Sequence, residues 1–436
     1  MTAVRAPRPS EPQGRTASRG AAVWRLIGPA LLFSGVAIGT SHLVQSTRAG
    51  AVYGLGLVGV ILIANLLKYP AFRFGVDYGH ATGRSILAGY RHLGRWAVVL
   101  FAIAILPITP IIHGAVAAAT AGVFIAVTGI EAQTEVIGAI LLFIVGALLL
   151  RGGYEWLDKI NRVLLTFLVF STVIATALVL PRIAWPTLTD FSWMVDPVAV
   201  LFVIALAGFM PNPLEVSVSQ SLWTAKVERN LRDDEGVGEG GGSRIEDARL
   251  AFASSYGLTA IVAVCFCIMG AGVMHPGGIA PESSAPAFAA QVIDLYRVVL
   301  GDGAAILASI AALSVMLTTL LGAIDIGCRI AASTFQHISD RTEIAAFDRY
   351  YRMAIPVLVL LDIVVLFTLM SDFTTLMDLA TSLAFVAAPV IAILNHLSVS
   401  GKTMPEHARP SAAISALNIV AVVTMSGLSI AFFTLR

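Results

Sequence analysis

The sequence predicts an all-α integral membrane protein with eleven spans, and three observations carry that reading. Of its 436 residues, 57% are hydrophobic and only 13% are charged, with a mean hydropathy of +0.84; a soluble globular domain has about a quarter of its residues charged. Lysines and arginines collect in alternate separators between the apolar stretches. Two of those stretches are broken at their middles by polar, glycine- and proline-bearing residues. A bilayer tolerates such breaks only where protein buries the freed backbone groups or a cavity hydrates them.

Taken in order, residues 1–21 are rich in Arg, Pro, Ser and Gly and are expected to form a disordered cytoplasmic tail. They lack the pattern of a cleaved signal peptide, so direct insertion into the cytoplasmic (inner) membrane is expected. A span takes about 20 apolar residues at roughly 1.5 Å each. Stretches of that kind fall at 22–51, 54–76, 96–127, 135–150, 161–181, 197–225, 248–274, 303–331, 353–370, 375–398 and 412–434. The separators read as short and polar or glycine-rich. The longest cytosolic one, Arg229 to Arg244, carries Asp233-Asp234-Glu235 and a glycine run that suits a flexible linker. With the amino terminus inside, the inner segments hold 22 lysines and arginines, and the outer ones hold only Arg182, Arg297 and Arg436. That asymmetry sets the orientation and supports an odd number of spans, with the carboxyl terminus outside.

Several functions are excluded or disfavoured at this point. A net charge of +1 argues against nucleic-acid binding, and three cysteines cannot build a disulfide framework. Cys265 and Cys267 point to different faces of one helix and Cys328 is alone, as small apolar core residues are. No nucleophile–base pair or paired-histidine motif suggests an intramembrane enzyme, and no soluble signalling domain supports a membrane sensor.

The breaks themselves are Ser34-Gly35-Val36-Ala37-Ile38-Gly39-Thr40-Ser41-His42-Leu43-Val44-Gln45 in the first span and Ala207-Gly208-Phe209-Met210-Pro211-Asn212-Pro213-Leu214-Glu215 in the sixth. Two such breaks at corresponding positions in two halves point to the binding site of a secondary transporter.

Further motifs carry a resemblance. Arg48-Ala49-Gly50-Ala51-Val52-Tyr53-Gly54 closes the first span, Ile27-Gly28-Pro29-Ala30 opens it, and Ile63-Ala64-Asn65-Leu66-Leu67 lies in the second. With Ala207-Gly208-Phe209-Met210-Pro211 in the sixth, the chain resembles the Nramp divalent-metal transporters over roughly 22–435. The resemblance implies a LeuT-like fold of two inverted five-helix repeats, about 22–181 and 197–398, plus an eleventh helix at 412–434. It also implies import of Mn²⁺, Fe²⁺ and similar ions, usually with protons.

The chain departs from that family where the metal would sit. The family's Asp-Pro-Gly-Asn signature aligns with Gly39-Thr40-Ser41-His42, so Gly39 stands at the Asp position and His42 at the Asn position. In the sixth span Ala207 and Met210, whose family counterparts give a carbonyl and a thioether ligand, are kept, while the following His becomes Asn212. The family's acidic pair in the third span aligns with Ile108 and Ile111. A site without a carboxylate suits hard ions poorly, whereas imidazole and thioether suit softer ones such as Zn²⁺, Cu⁺ or Fe²⁺. His42, Met210 and Ala207 are therefore the candidate metal ligands. Thr40, Ser41, Gln45, Asn212 and Ser217 can add oxygens. A histidine that only stabilises the kink, and a Met210 that is only apolar filler, are the alternatives.

Other charged groups fall near mid-membrane, where polar residues are functional by default. Arg48 and Glu215 are expected to pair as a gate or proton-sensitive latch, unless they snorkel. Asp325 and Arg329, four apart on one helix face, read as an ion pair or part of an inner gate. Asp378, with Thr381 and Ser382, is a candidate replacement carboxylate or an outer-end residue. His113, after Pro107 and Pro110, is a candidate proton carrier or a packed core histidine. The expected partners are the lipid bilayer, a metal ion or small solute, and H⁺ or Na⁺ as coupling ion, with no cofactor beyond a transported metal. An anionic or zwitterionic solute, drawn by helix amino termini and Arg48, is the rival cargo.

Overall fold

The computed structural model describes residues 33–152, 155–234, 244–341 and 343–435. The expected tail, the Ile27-Gly28-Pro29-Ala30 motif and residues 235–243 of the linker lie outside them. Among the described residues every regular element is helical.

The first span runs as a short helical stretch (33–37), a bend at 38–39, a π-helical turn Ser41–Ser46 and then α1 (Thr47–Tyr53). There follow α2 (Val58–Thr82), the short α3 (Ile86–Leu93), α4 (Arg95–Ile105), α5 (Thr109–Thr128), α6 (Thr134–Arg151) and α7 (Glu155–Val179). The expected third span is divided into α4 and α5 because Pro107 and Pro110 lack the N–H that would continue the ladder. The sixth span divides into α8 (Pro197–Phe209) and α9 (Val216–Asp234). Then come α10 (Ile245–Val273), α11 (Ala285–Leu300), α12 (Asp302–Ile338), α13 (Ile344–Leu369), α14 (Phe373–Ser400) and α15 (Ala412–Leu435). Local chemistry sets several ends. Asp196 caps α8 by accepting from the Val198 N–H, and Asp372 caps α14 by accepting from the Thr375 N–H. Gly83 and Gly129 close α2 and α5 in the left-handed conformation.

Nine helices among the described residues are long and apolar enough to cross a bilayer. The remaining two of the eleven expected spans are the interrupted ones, the first being described only from Phe33. One expectation is corrected: the segment between the seventh and eighth spans is more than a polar separator, because it contains α11. Phe288, Val292 and Leu295 give α11 a buried stripe, but 16 residues carrying Asp294 and Arg297 are too short and too charged to span. The outer faces of the bundle carry Phe143 and Phe433, 70% and 68% exposed. An apolar surface of this kind belongs in lipid.

Apolar packing forms two large clusters. One joins α5, α6, α7, α11, α12 and α13; the other joins α2, α3, α4, α8, α9, α14 and α15. Both breaks lie on the seam: Ile38 and Phe209 belong to the first cluster, while Ala37, Ala207, Met210 and Leu214 belong to the second. Small residues let helices approach closely across the second cluster. Gly75 and Gly79, one turn apart on α2, face the Ser217 and Ser221 carbonyls of α9, and a Cβ at either would lie 2.3 Å from that oxygen. Gly79→Leu is therefore expected to cost about 1–3 kcal/mol through overpacking, read as a fall in thermal unfolding temperature in detergent. An unchanged temperature would show that the α2–α9 crossing is looser than this.

Candidate transport site

The first break begins where the ladder fails after Ala37. The Gly39 N–H reaches back only to the Ala37 carbonyl, and the chain resumes in the wider π turn, a feature found at functional sites. Gly39 has a packing reason. A Cβ there would lie 2.6 Å from both Cγ2 and Oγ1 of Thr319 on α12. The position where the resemblance places a carboxylate is thus filled by a neighbouring helix. The second break opens at Met210, which is extended, and persists until α9 begins at Val216.

Two side groups hold the breaks. His42, fully buried, sets Nε2 2.8 Å from the Thr259 carbonyl of α10 and Nδ1 2.6 Å from Ser41 Oγ. A carbonyl only accepts, so Nε2 carries a hydrogen. Both ring nitrogens are therefore committed to protein, and the expectation of His42 as a metal ligand is corrected to that of a tie between the first break and α10. Lys68 of α2 was not singled out from sequence, although a lysine inside the second apolar stretch is a readable signal. Its buried ammonium donates to the Gly208 carbonyl at 2.6 Å and the Asn212 carbonyl at 3.2 Å. These carbonyls lie at the end of the α8 half-helix, whose dipole favours a cation there.

The remaining candidates separate onto two sides of the breaks. On one side Arg48 donates from Nη1 to Asp378 Oδ1 at 2.6 Å and from Nη2 to Oδ2 at 2.9 Å. Gln45 accepts from Arg48 and donates to Asp378 and to Thr381. The guanidinium also lies 5.0 Å from the Phe202 ring centre. The expected Arg48–Glu215 pair is thus corrected: α1 brings Arg48 to the start of α14, and Glu215 lies beyond the second break. Asp378 is engaged in this bidentate pair and does not line the cavity on the other side of the breaks.

On the other side lies a cavity of about 50 Å³, lined among others by Thr40, Ser41, His113, Asn212, Glu215 and Thr319. Glu215 is 6% exposed and its Oε2 has no hydrogen-bond partner among the described residues; Asn212 Nδ2 likewise has none. His113 places Nδ1 3.2 Å from Oδ2 of Asp362, a fully buried acid on α13 that the sequence reading passed over. Met210 and Ala207 are not on this cavity. Met210 sulfur receives the Ser46 hydroxyl at 3.9 Å, while Ala207 lines an apolar groove among α2, α8, α14 and α15. Ser217, expected to offer an oxygen, is held by Asn395 Nδ2 at 2.9 Å. Asp325 and Arg329 pair at 2.8 Å, and the Tyr351 hydroxyl donates to Asp325. Among the described residues no three His, Cys, Asp or Glu side chains converge as a metal-binding set. The arrangement therefore offers one buried carboxyl group among hydroxyls and an amide, closed on the other side by an ion pair.

Comparison with known proteins places this geometry. Residues 30–435 match the family model described as natural resistance-associated macrophage protein-like, Nramp. An uncharacterized protein of Pasteurella multocida (strain Pm70) is 28% identical over 373 residues, covering 85% of this chain and 83% of that one. The fold is similar to that of the Eremococcus coleocola manganese transporter in complex with an aromatic bis-isothiourea substituted compound, with a TM-score of 0.64 at 16% identity over 96% of this chain and 88% of the other. It is also similar to MhsT in complex with L-phenylalanine, with a TM-score of 0.65 at 15% identity over 94% and 98% of the two chains. At these identities the likeness is one of fold: LeuT-like, two inverted five-helix repeats with an added helix.

Removing the ammonium tests the account of the second break. Lys68→Met is expected to destabilise the protein by about 1.5–3 kcal/mol, the worth of a hydrogen bond to a charged group, seen as a lower unfolding temperature. An undiminished temperature would remove Lys68 from the break.

Proposed function

We propose that this chain, which belongs to the Nramp family, is a secondary transporter that moves a metal cation across the cytoplasmic membrane by alternating access around its two broken spans. The observation that carries this reading is the small cavity between the breaks, where Thr40, Ser41, Asn212 and Glu215 stand in a mainly apolar lining. Its volume of about 50 Å³ has room for a dehydrated ion and a few waters, each needing on the order of 10–15 Å³. The rival reading of an anionic solute loses its main support, because Asp378 already meets the charge of Arg48.

With 22 lysines and arginines on the inner segments against three on the outer, the amino terminus lies in the cytoplasm and the carboxyl terminus outside. Arg48 and Asp378 then sit toward the outside, and Glu215, Asn212 and His113 toward the inside. Their arrangement matches a state whose outer gate is shut by the Arg48–Asp378 pair. The repeats, about 22–181 and 197–398, would move against each other around the seam of the two apolar clusters, with 412–434 accompanying them. For coupling, the family's acidic pair is replaced by Ile108 and Ile111, and His113 with Asp362 forms the titratable pair beside the cavity. His113, hydrogen-bonded to Asp362 at 3.2 Å, is the proton carrier on this reading. Asp325, tied to Arg329 and Tyr351, fits an inner constriction.

Purified protein in liposomes loaded with a metal-sensitive dye tests the assignment. Saturable uptake of a divalent cation is expected, faster with an inward proton gradient. Cation-tight liposomes that instead accumulate a labelled organic solute would sink it. Asp378→Asn is expected to slow uptake about tenfold, as for the loss of about 1.4 kcal/mol from a closed state, while leaving equilibrium cation binding intact. Wild-type uptake rates would remove the pair from the cycle.

A further inference from the structure

We infer that Glu215 supplies the carboxylate of the cation site, and that the site is made of oxygen ligands and therefore accepts the hard ion Mg²⁺ alongside Mn²⁺. The inference rests on the transport reading above and specifies its ligands. Three features of the break geometry lead to it.

The first is that Gly39 has no room for a side chain, acid or otherwise, unless Thr319 moves. The space beside Gly39 is occupied by Thr319, at 2.6 Å from where a Cβ would stand. A carboxylate must come from elsewhere if the cavity is to hold a cation. The second is that both soft donors are turned away. His42 spends its two ring nitrogens on Thr259 and Ser41. Met210 sulfur faces Ser46, and neither residue lines the cavity. His113 does line it, but Asp362 takes Nδ1 and the Cε1–Nε2 edge packs against Gly327. The third is that Glu215, nine-tenths buried in the membrane interior, keeps an oxygen without a protein partner. A buried acid of this kind is either neutralised by a proton or matched by a cation. Of the groups that line the cavity with it, Thr40, Thr319 and Asn212 can offer hydroxyl and amide oxygens, whereas Ser41 Oγ is engaged by Ala37, Pro211 and His42.

Lys68 explains how Glu215 remains available. Its ammonium is held behind the break by the Gly208 and Asn212 carbonyls and lines the apolar groove rather than the cavity. The lysine thus spends its hydrogen bonds on the Gly208 and Asn212 carbonyls, and its charge acts on Glu215 only through space. Hard cations favour such oxygen sets; thioether and imidazole are what select softer ions. With its sulfur and imidazole averted, this cavity lacks the groups that would discriminate against Mg²⁺.

The test is calorimetric titration of the full-length protein in detergent with MgCl₂, MnCl₂ and ZnCl₂, alongside liposome uptake of the same ions. Wild-type protein is expected to bind Mg²⁺ and Mn²⁺ with affinities within about tenfold of each other, and Zn²⁺ with an affinity that does not depend on Met210. Glu215→Gln is expected to weaken Mn²⁺ binding by at least about tenfold, Glu215→Asp is expected to recover part of it, and Met210→Leu should leave the Mg²⁺/Mn²⁺ ratio unmoved. A folded Glu215→Gln protein with wild-type affinity overturns the inference, as does a preference for Zn²⁺ that Met210→Leu abolishes. Should Glu215→Gln fail to fold, Thr40→Val across the cavity carries the same test, and unchanged affinity there overturns it too. Cation uptake that survives Glu215→Gln removes this ligand set and leaves the transport reading standing; no cation uptake by the wild type removes both.

Discussion

The ammonium of Lys68, held by the carbonyls of Gly208 and Asn212, is the interaction on which the centre of this molecule depends. In a medium without water, a helix that stops at mid-depth leaves carbonyls that nothing outside the protein can satisfy. The α8 half-helix stops at Phe209, and the chain does not become helical again until Val216. A cation delivered from α2 meets both the orphan carbonyls and the negative end of the half-helix dipole. The close approach that delivers it comes from Gly75 and Gly79, which bring α2 against α9 at backbone distance.

The first break is held differently. It spans only two residues before the π turn takes over, and His42 ties that turn to the backbone of α10. Between the two breaks lies the boundary of the two apolar clusters, so the cavity sits where those clusters meet. The Arg48–Asp378 pair lies apart from that cavity, which Glu215 and His113 line.

This geometry also changes how the missing acid of the first span is understood. From the alignment, loss of the aspartate suggests a neutral site served by soft ligands. In three dimensions the space has gone to Thr319, the imidazole and the sulfur serve the scaffold, and an acid from the far end of the second break borders the cavity. On the inference drawn above, the second broken helix offers the acid that the first one lacks.

Membrane residence, the helical class and both breaks were determined by the sequence itself, because they follow from local rules: apolar run length, charge asymmetry, and the inability of Gly- and Pro-bearing polar stretches to continue a helix in lipid. The Asp325–Arg329 pair was legible for the same reason, being set by spacing on one helix. Helix α11 was half-legible: its stripe is periodic, but no hydropathy threshold marks a helix that lies against the bundle without crossing it. Which side chains face one another was decided only by the tertiary structure. Arg48 meets Asp378 across 330 residues of chain, His42 turns to α10, Lys68 reaches the second break, and Asp362 finds His113. Those pairings depend on helix crossing points and rotations, which long-range packing sets and no window of sequence contains.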